Sequence, residues 1–216
     1  MPVLYVIAGP NGIGKTTSAF DIVPNGIPII NSDEISKEVK SAGIVIQGNA
    51  QEYSNYKAMD LVNDQLKKKN TFAIETNLAD TETWKFLIQV QGNDYEVHVI
   101  YMSTDNLDVL NNRISQRVKL GEHYVLPEVV RERYLNGLGL LNHYFKEPDK
   151  LQLFDNSISP QLLIEAMKGN IVKREEVLPQ WISQNLAIHI TGASTAADNT
   201  ISSIEEARKK YKKMRI

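Results

Sequence analysis

Eight consecutive residues of this chain have the types and order that hold phosphate. Gly9-Pro10-Asn11-Gly12-Ile13-Gly14-Lys15-Thr16 fits the spacing G-x-x-x-x-G-K-[ST]. The glycines allow a turn tight enough for several main-chain N–H groups to converge on phosphate oxygens. A helix opening where the turn ends adds its positive end. Lys15 can reach the β- and γ-phosphates of a nucleotide, and the Thr16 hydroxyl can ligate Mg²⁺. Gly9, Asn11, Gly12, Ile13, Gly14, Lys15, Thr16 and Thr17 are therefore the predicted nucleotide contacts. The plain alternative is a glycine-rich turn that happens to contain Lys-Thr. The apolar run before the turn and the helix-like segment after it argue against that. The sequence has no N-K-x-D segment of the kind that reads guanine and no L-S-G-G-Q segment of a transport ATPase. ATP with Mg²⁺ is the expected donor, with no residue assigned to the base.

Moving a phosphoryl group onto a hydroxyl needs three things beyond the cradle. These are a carboxylate for the attacking hydroxyl, positive charge on the γ-phosphate, and a closing element that excludes water. "NSDEI" offers Asp33 as the base. Asp is also an ordinary helix cap, but Asn31 and Ser32 stand beside it for that task. Glu34 reads as an exposed residue of the first helical turn. "FAIETN" ends an apolar run in Glu75, where an unpaired charge is costly, so Glu75 should meet substrate, a basic partner or metal through water. Thr76 is its hydrogen-bonding neighbour. Arg113, Arg117, Arg131 and Arg133 supply planar, bidentate cations, with surface pairing to Glu128 and Glu132 as the ordinary alternative. The turn holding Gly121 and His123 between two helical stretches reads as a lid hinge, and His123 joins the substrate-side candidates.

The elements that must position these residues alternate. Strands are expected at 3–8, 28–33, 71–77, 96–103 and 150–157, with a sixth at 170–176. Helices are expected at 15–23, 50–69, 80–92, 105–119, from Pro127 to 141, and at 159–169. This order predicts an α/β fold whose mainly parallel sheet has five or six strands, flanked by helices, with a helical lid over roughly 113–141. Ligands of such sheets bind beyond the carboxyl ends of the strands. A domain over 1–188 is followed by a small, polar linker and a basic, amphipathic helix within 189–216, either a solvated terminal helix or a partner-binding one. The net charge of -2 predicts no general affinity for nucleic acid or anionic membrane. The absence of cysteine excludes disulfides and thiolate chemistry and fits a reducing cytoplasm. No apolar run approaches a membrane span, and the N-terminal run reads as a strand rather than a signal peptide.

"AGPNGIGKTT", "NSDEI", "FAIETNL", "RISQRVKLGEH", "RERY" and "FDNS" stand in the order seen in zeta-toxin-like P-loop kinases. The chain resembles that family over roughly residues 3–157, most of all its stand-alone branch, often labelled predicted ABC-type ATPase. The resemblance implies a P-loop NTPase fold and transfer of the ATP γ-phosphate, with Mg²⁺, to the sugar of a nucleotide sugar such as UDP-N-acetylglucosamine. Lys15 and Thr16 would hold ATP and Mg²⁺, Asp33 would be the base, Glu75 would lie by the substrate, and lid arginines would serve the γ-phosphate. It also implies an antitoxin protein as a partner class. Gly121-Glu122-His123 stands where the branch reads Gly-Gly-His, Pro127 falls one residue late, and "ETN" replaces "ETT". The arginines are therefore not matched one to one. The rival expectations are a P-loop ATPase that converts hydrolysis into work and a non-catalytic nucleotide-binding module of a toxin–antitoxin pair.

Overall fold

A computed structural model describes residues 1–43, 49–119 and 124–191. Within them the chain forms β1 (Val3–Ala8), α1 (Lys15–Ile22), β2 (Ile29–Ile30), α2 (Ser32–Ser41), α3 (Ala50–Lys67) and β3 (Phe72–Thr76). It continues through α4 (Thr81–Gln91), β4 (Glu96–Ser103), α5 (Leu107–Lys119), α6 (Pro127–His143), β5 (Lys150–Asp155), β6 (Gln161–Met167) and β7 (Asn170–Arg174). It ends with α7 (Gln180–Asn185) and α8 (Ala187–Ile190).

β1 is apolar on both faces because it lies mid-sheet, and Leu4, Val6, Ile7 and Ala8 are wholly buried. It pairs in parallel with β3 on one side and β4 on the other. The strand order is β2-β3-β1-β4-β5-β6-β7. The chain leaves β1 for β2 and β3, then crosses to β4 and β5. The carboxyl end of β1 therefore opens where the connections diverge, as ligand crevices of such sheets do. The loop of residues 9–14 starts there and runs into α1. Gly9 has φ +136°, and a Cβ on it would collide with the Met102 carbonyl of β4. The loop is thus seated directly on the neighbouring strand.

The sheet departs from the expected one in three places. Among the described residues it has seven strands, not five or six, and its last two pairings, β5–β6 and β6–β7, are antiparallel. The segment 159–169, expected as a helix, holds the strand β6 instead. Tertiary pairing overrides propensity here, because β5 needs a partner to cover its edge and Leu163, Ile164 and Ala166 are buried in doing so. The local signal lay in Lys168-Gly169. Both have positive φ, 46° and 75°, as a two-residue hairpin turn between Met167 and Asn170 requires. Finally, the strand expected over 28–33 shrinks to Ile29–Ile30. The Asn31 side chain accepts from the Asp33 N–H at 2.8 Å and starts α2. Asp33 is therefore in the first turn of a helix rather than on a strand.

α4 starts as expected, with Asp80 accepting from Thr83 N–H at 2.7 Å. α7 and α8 were not foreseen. α7 docks through Trp181, which is 1% exposed, and its first N–H groups are accepted by Asp105. In α8, the His189 ring stacks on Phe145 with centroids 4.2 Å apart. The linker and basic helix expected over 189–216 lie, from residue 192 on, outside the described residues. No helix of the described residues is long and apolar enough to cross a membrane.

Gly9→Ala combines a left-handed φ with overpacking against β4, so it should lower stability by about 3 kcal/mol. Urea denaturation of the two proteins checks this. A loss below 1 kcal/mol would show that the loop is not pinned to β4.

Candidate functional site

The carboxyl ends of β1 and β3, the starts of α1 and α2, and α5 and α6 enclose a cleft of about 1020 Å³. Its floor is the loop of residues 9–14. Gly14, with φ 96°, is the N-cap of α1, and no side chain caps the helix. The first N–H groups of α1 are left to face a ligand, and the helix dipole favours an anion there.

Lys15 is the first residue of α1 and only 8% exposed. Its Nζ donates to the carbonyls of Gly9 (2.7 Å) and Pro10 (3.1 Å) and to Asn77 Oδ1 (3.1 Å). Burial pulls its pKa down to about 8, while the charges of Glu75 and Asp33 act the other way. Thr16 Oγ1 donates to the Glu75 carboxylate, at 2.9 Å from Oε2 and 3.2 Å from Oε1. Burial raises the Glu75 pKa, opposed first by Lys15 and then by the Thr16 hydrogen bond. A hydroxyl and a carboxylate in contact at the edge of a phosphate cradle are hard oxygen donors of the kind Mg²⁺ takes, with phosphate and water completing its shell. The described residues hold no group of three or more His, Asp or Glu that could bind a metal by themselves.

Asp33 faces the same cleft from α2, exposed, with its main chain rather than its carboxylate engaged in the capping. Thr76 also lines the cleft, and its hydroxyl accepts from Leu78 N–H at 3.1 Å within its own turn. Asn11, Gly12, Gly14 and Thr17 line the cleft, whereas Gly9 and Ile13 are buried beneath it.

The four arginines separate. Arg117 and Arg133 line the cleft and both act electrostatically on Lys15. Arg133 donates to Asn11 Oδ1 at 2.9 Å, joining α6 to the loop. Arg113 also lines the cleft, but its guanidinium is spent on the carbonyls of Ile13 (3.2 Å), Asn156 (2.8 Å) and Ser157 (2.9 Å). Arg131 is exposed and is not part of the cleft wall. His123, with Gly121 and Glu122 of the expected hinge, lies outside the described residues.

Two residues of the site were not singled out from sequence. Asn77 receives the Lys15 ammonium. Asn156, 5% exposed, donates to the Ile13 carbonyl at 2.7 Å. The signals were present as the Asn that ends "ETN" and the Asn of "FDNS", but a neutral amide carries no charge that draws notice.

No family model matches the chain. An uncharacterised protein of Haemophilus influenzae is 26% identical over 132 residues, covering 58% of this chain and 88% of its own. Among solved structures, a chain of AvrRxo1-ORF1:-ORF2 with ATP superposes with a TM-score of 0.65 at 14% identity. That match covers 91% of this chain and 66% of the other, so this chain spans just under two thirds of its length. The PezAT chromosomal toxin–antitoxin system of Streptococcus pneumoniae gives a TM-score of 0.53 at 15% identity, covering 98% and 87%. At these identities what is shared is the fold. The mainly parallel sheet carries its G-x-x-x-x-G-K-T loop between β1 and α1, the position and spacing of a phosphate-binding loop.

The Lys15 position has a pH signature in the nucleotide-free protein. Its folded pKa, about 8, is below the ordinary 10.5, so between those values the unfolded chain binds the extra proton. Stability contributed by this group therefore rises with pH across that window and is flat below it. Urea midpoints from pH 7 to 10.5, compared with Lys15→Met, should differ by a pH-dependent amount that changes between pH 8 and 10.5. Parallel curves would contradict the buried ammonium.

Proposed function

We propose that this protein is an ATP- and Mg²⁺-dependent kinase that moves the γ-phosphate onto a hydroxyl of a small molecule. The observation that carries the reading is the convergence of Asp33 and Glu75 with Lys15 and Thr16 on one cleft of about 1020 Å³. A site built only to hold a nucleotide has no need of an unengaged carboxylate opposite the cradle. Here the Asp33 carboxylate has no hydrogen bond or ion pair among the described residues, because Asn31 does the capping.

The cradle N–H groups and Lys15 hold the phosphate chain, and Arg117 and Arg133 add positive charge where it develops on the transferring group. Thr16 and Glu75, in contact with each other, would hold Mg²⁺, which would neutralise phosphate charge. Asp33 accepts the proton of the acceptor hydroxyl as its oxygen bonds to the γ-phosphorus. The bond from that phosphorus to the β-phosphate oxygen breaks, and ADP leaves with the electron pair. Arg113 has no direct phosphate role in this scheme, since three carbonyls occupy it.

Support for a kinase rather than a work-producing ATPase comes from the carboxylate arrangement. Likeness of fold to a toxin–antitoxin system and to a structure solved with ATP is consistent with it. A nucleotide sugar such as UDP-N-acetylglucosamine is the first acceptor to test, an antitoxin-like protein is the partner class to look for, and the cytoplasm is the compartment in which both would be met.

Incubation of the protein with γ-labelled ATP, Mg²⁺ and a metabolite extract should label a small molecule. Lys15→Ala should lower transfer at least 1000-fold, on the order of the loss of a major transition-state contact. Asp33→Asn should lower kcat about 100-fold or more with ATP affinity little changed, as loss of a general base does. Transfer that survives Asp33→Asn would sink the acceptor-site assignment. ATP hydrolysis without a labelled acceptor, stimulated by a macromolecule, would favour the ATPase reading.

The arginines give an independent check. Arg133→Ala should weaken ATP binding about tenfold, the scale of one charge-assisted contact, whereas Arg131→Ala should leave it within twofold. Calorimetric titration distinguishes the two. Equal losses would mean that exposure of Arg131 does not describe its role.

A further inference from the structure

The "FDNS" segment has no part in the scheme above, yet its asparagine is the most deeply engaged amide near the cradle. Asn156 follows β5 directly, and its main-chain N–H donates to the Ser103 carbonyl at the end of β4 (2.9 Å). Its side-chain Nδ2 donates to the Ile13 carbonyl at 2.7 Å and lies 3.4 Å from Ser18 Oγ of α1. Its own carbonyl accepts from Arg113, whose same Nη1 also reaches the Ile13 carbonyl. Two donors from two different elements thus close on one carbonyl oxygen of the loop.

That carbonyl belongs to the peptide Ile13–Gly14. The peptide is trans, so its C=O and N–H point in opposite directions. With the carbonyl held by Asn156 and Arg113, the Gly14 N–H points away from those two side chains, and Gly14 itself lines the cleft. The neighbouring groups are already committed: Ile13 N–H donates to Pro10 and the Gly14 carbonyl accepts from Ser18. Gly14 is needed for φ 96°, but a glycine also lets the adjoining peptide rotate cheaply. A rotated peptide would aim a carbonyl at the phosphate in place of an N–H. The amide packs closely on the loop, since a Cβ on Gly14 would come to 3.0 Å from Asn156 Nδ2 and force one of them to shift.

We infer that Asn156, with Arg113, is a positioning residue that fixes the Ile13–Gly14 peptide with its N–H toward the bound phosphate. Arg113 then serves the cradle through its fork of donors and not through its charge. The inference rests on the reading of the cradle as a phosphate site and is independent of which acceptor is used.

Calorimetric titration of the full chain with ATP and with inorganic tripolyphosphate tests it, at a temperature where circular dichroism shows each variant folded. Asn156→Ala removes a neutral side chain and should weaken tripolyphosphate binding about fivefold to tenfold, the scale of one hydrogen bond. Arg113→Lys keeps the charge but not the fork and should lose a similar factor. The double variant should lose less than the product of the two, because both serve one carbonyl. Asn156→Leu keeps the approximate volume, adds no charge and removes the donor, and stands in if alanine prevents folding. Folded variants at Asn156 that bind tripolyphosphate within twofold of the parent would overturn the inference. An Arg113→Lys protein indistinguishable from the parent would overturn the part assigned to Arg113. A parent protein that binds neither ATP nor tripolyphosphate would remove the phosphate reading itself, a different failure from unaffected variants of a binding parent.

Discussion

The arrangement of this site follows from one demand: the buried main-chain carbonyls of the loop must each meet a donor. Lys15 does this at one end, taking the carbonyls of Gly9 and Pro10 on an ammonium that is itself buried. Asn156 and Arg113 do it at the other, taking the carbonyl of Ile13. A buried cation without acceptors is costly, and so is a buried carbonyl without donors. Each satisfies the other, and the direction of the peptides follows. In the proposed phosphate site the Gly14 N–H is left for the anion because a trans peptide cannot present both ends to the same side.

This demand also explains how the sheet is used. The loop meets only part of its own demand, with Ile13 N–H on the Pro10 carbonyl, and further donors and acceptors come from strand ends: Asn77 just beyond β3, Asn156 just beyond β5, itself tied to Ser103 at the end of β4. Parallel strands bring these ends together on one side, which an antiparallel meander would not do. β6 and β7 contribute none of these bonds. They cover the edge of β5, and their change of direction costs the site nothing.

Much of the fold was legible because the signals were local. The apolar run of β1, the cap before α4 and Pro127 at the start of α6 act within a few residues. The segment 159–169 was misread because its residues favour a helix in isolation, while the reason for a strand, the uncovered edge of β5, is not local at all. The same division holds at the site. The cradle could be read because its chemistry is written in consecutive residues. The separation of Arg113 from Arg117 could not, since both sit on α5 four residues apart and differ only in what the ends of other elements offer them. Charge marked the arginines as candidates, and neutrality hid Asn77 and Asn156. Yet the hydrogen bonds of those two amides decide which way a lysine and a peptide point.

The two carboxylates illustrate how position assigns roles that residue type leaves open. Both oxygens of Glu75 lie within hydrogen-bond reach of the Thr16 hydroxyl, and burial favours its protonated form while Lys15 opposes that. A carboxylate so engaged is held beside Thr16, on the cradle side of the cleft. Asp33 has the opposite circumstances. It is exposed, stands in the first turn of α2, and is relieved of capping by the residue two before it. In the proposed reaction the proton therefore goes to Asp33 and the metal-side contact to Glu75. The residue after Glu75-Thr76 fits the same division. Asn77 supplies an amide oxygen that accepts from the Lys15 ammonium, a neutral partner that leaves the lysine's charge unspent for phosphate.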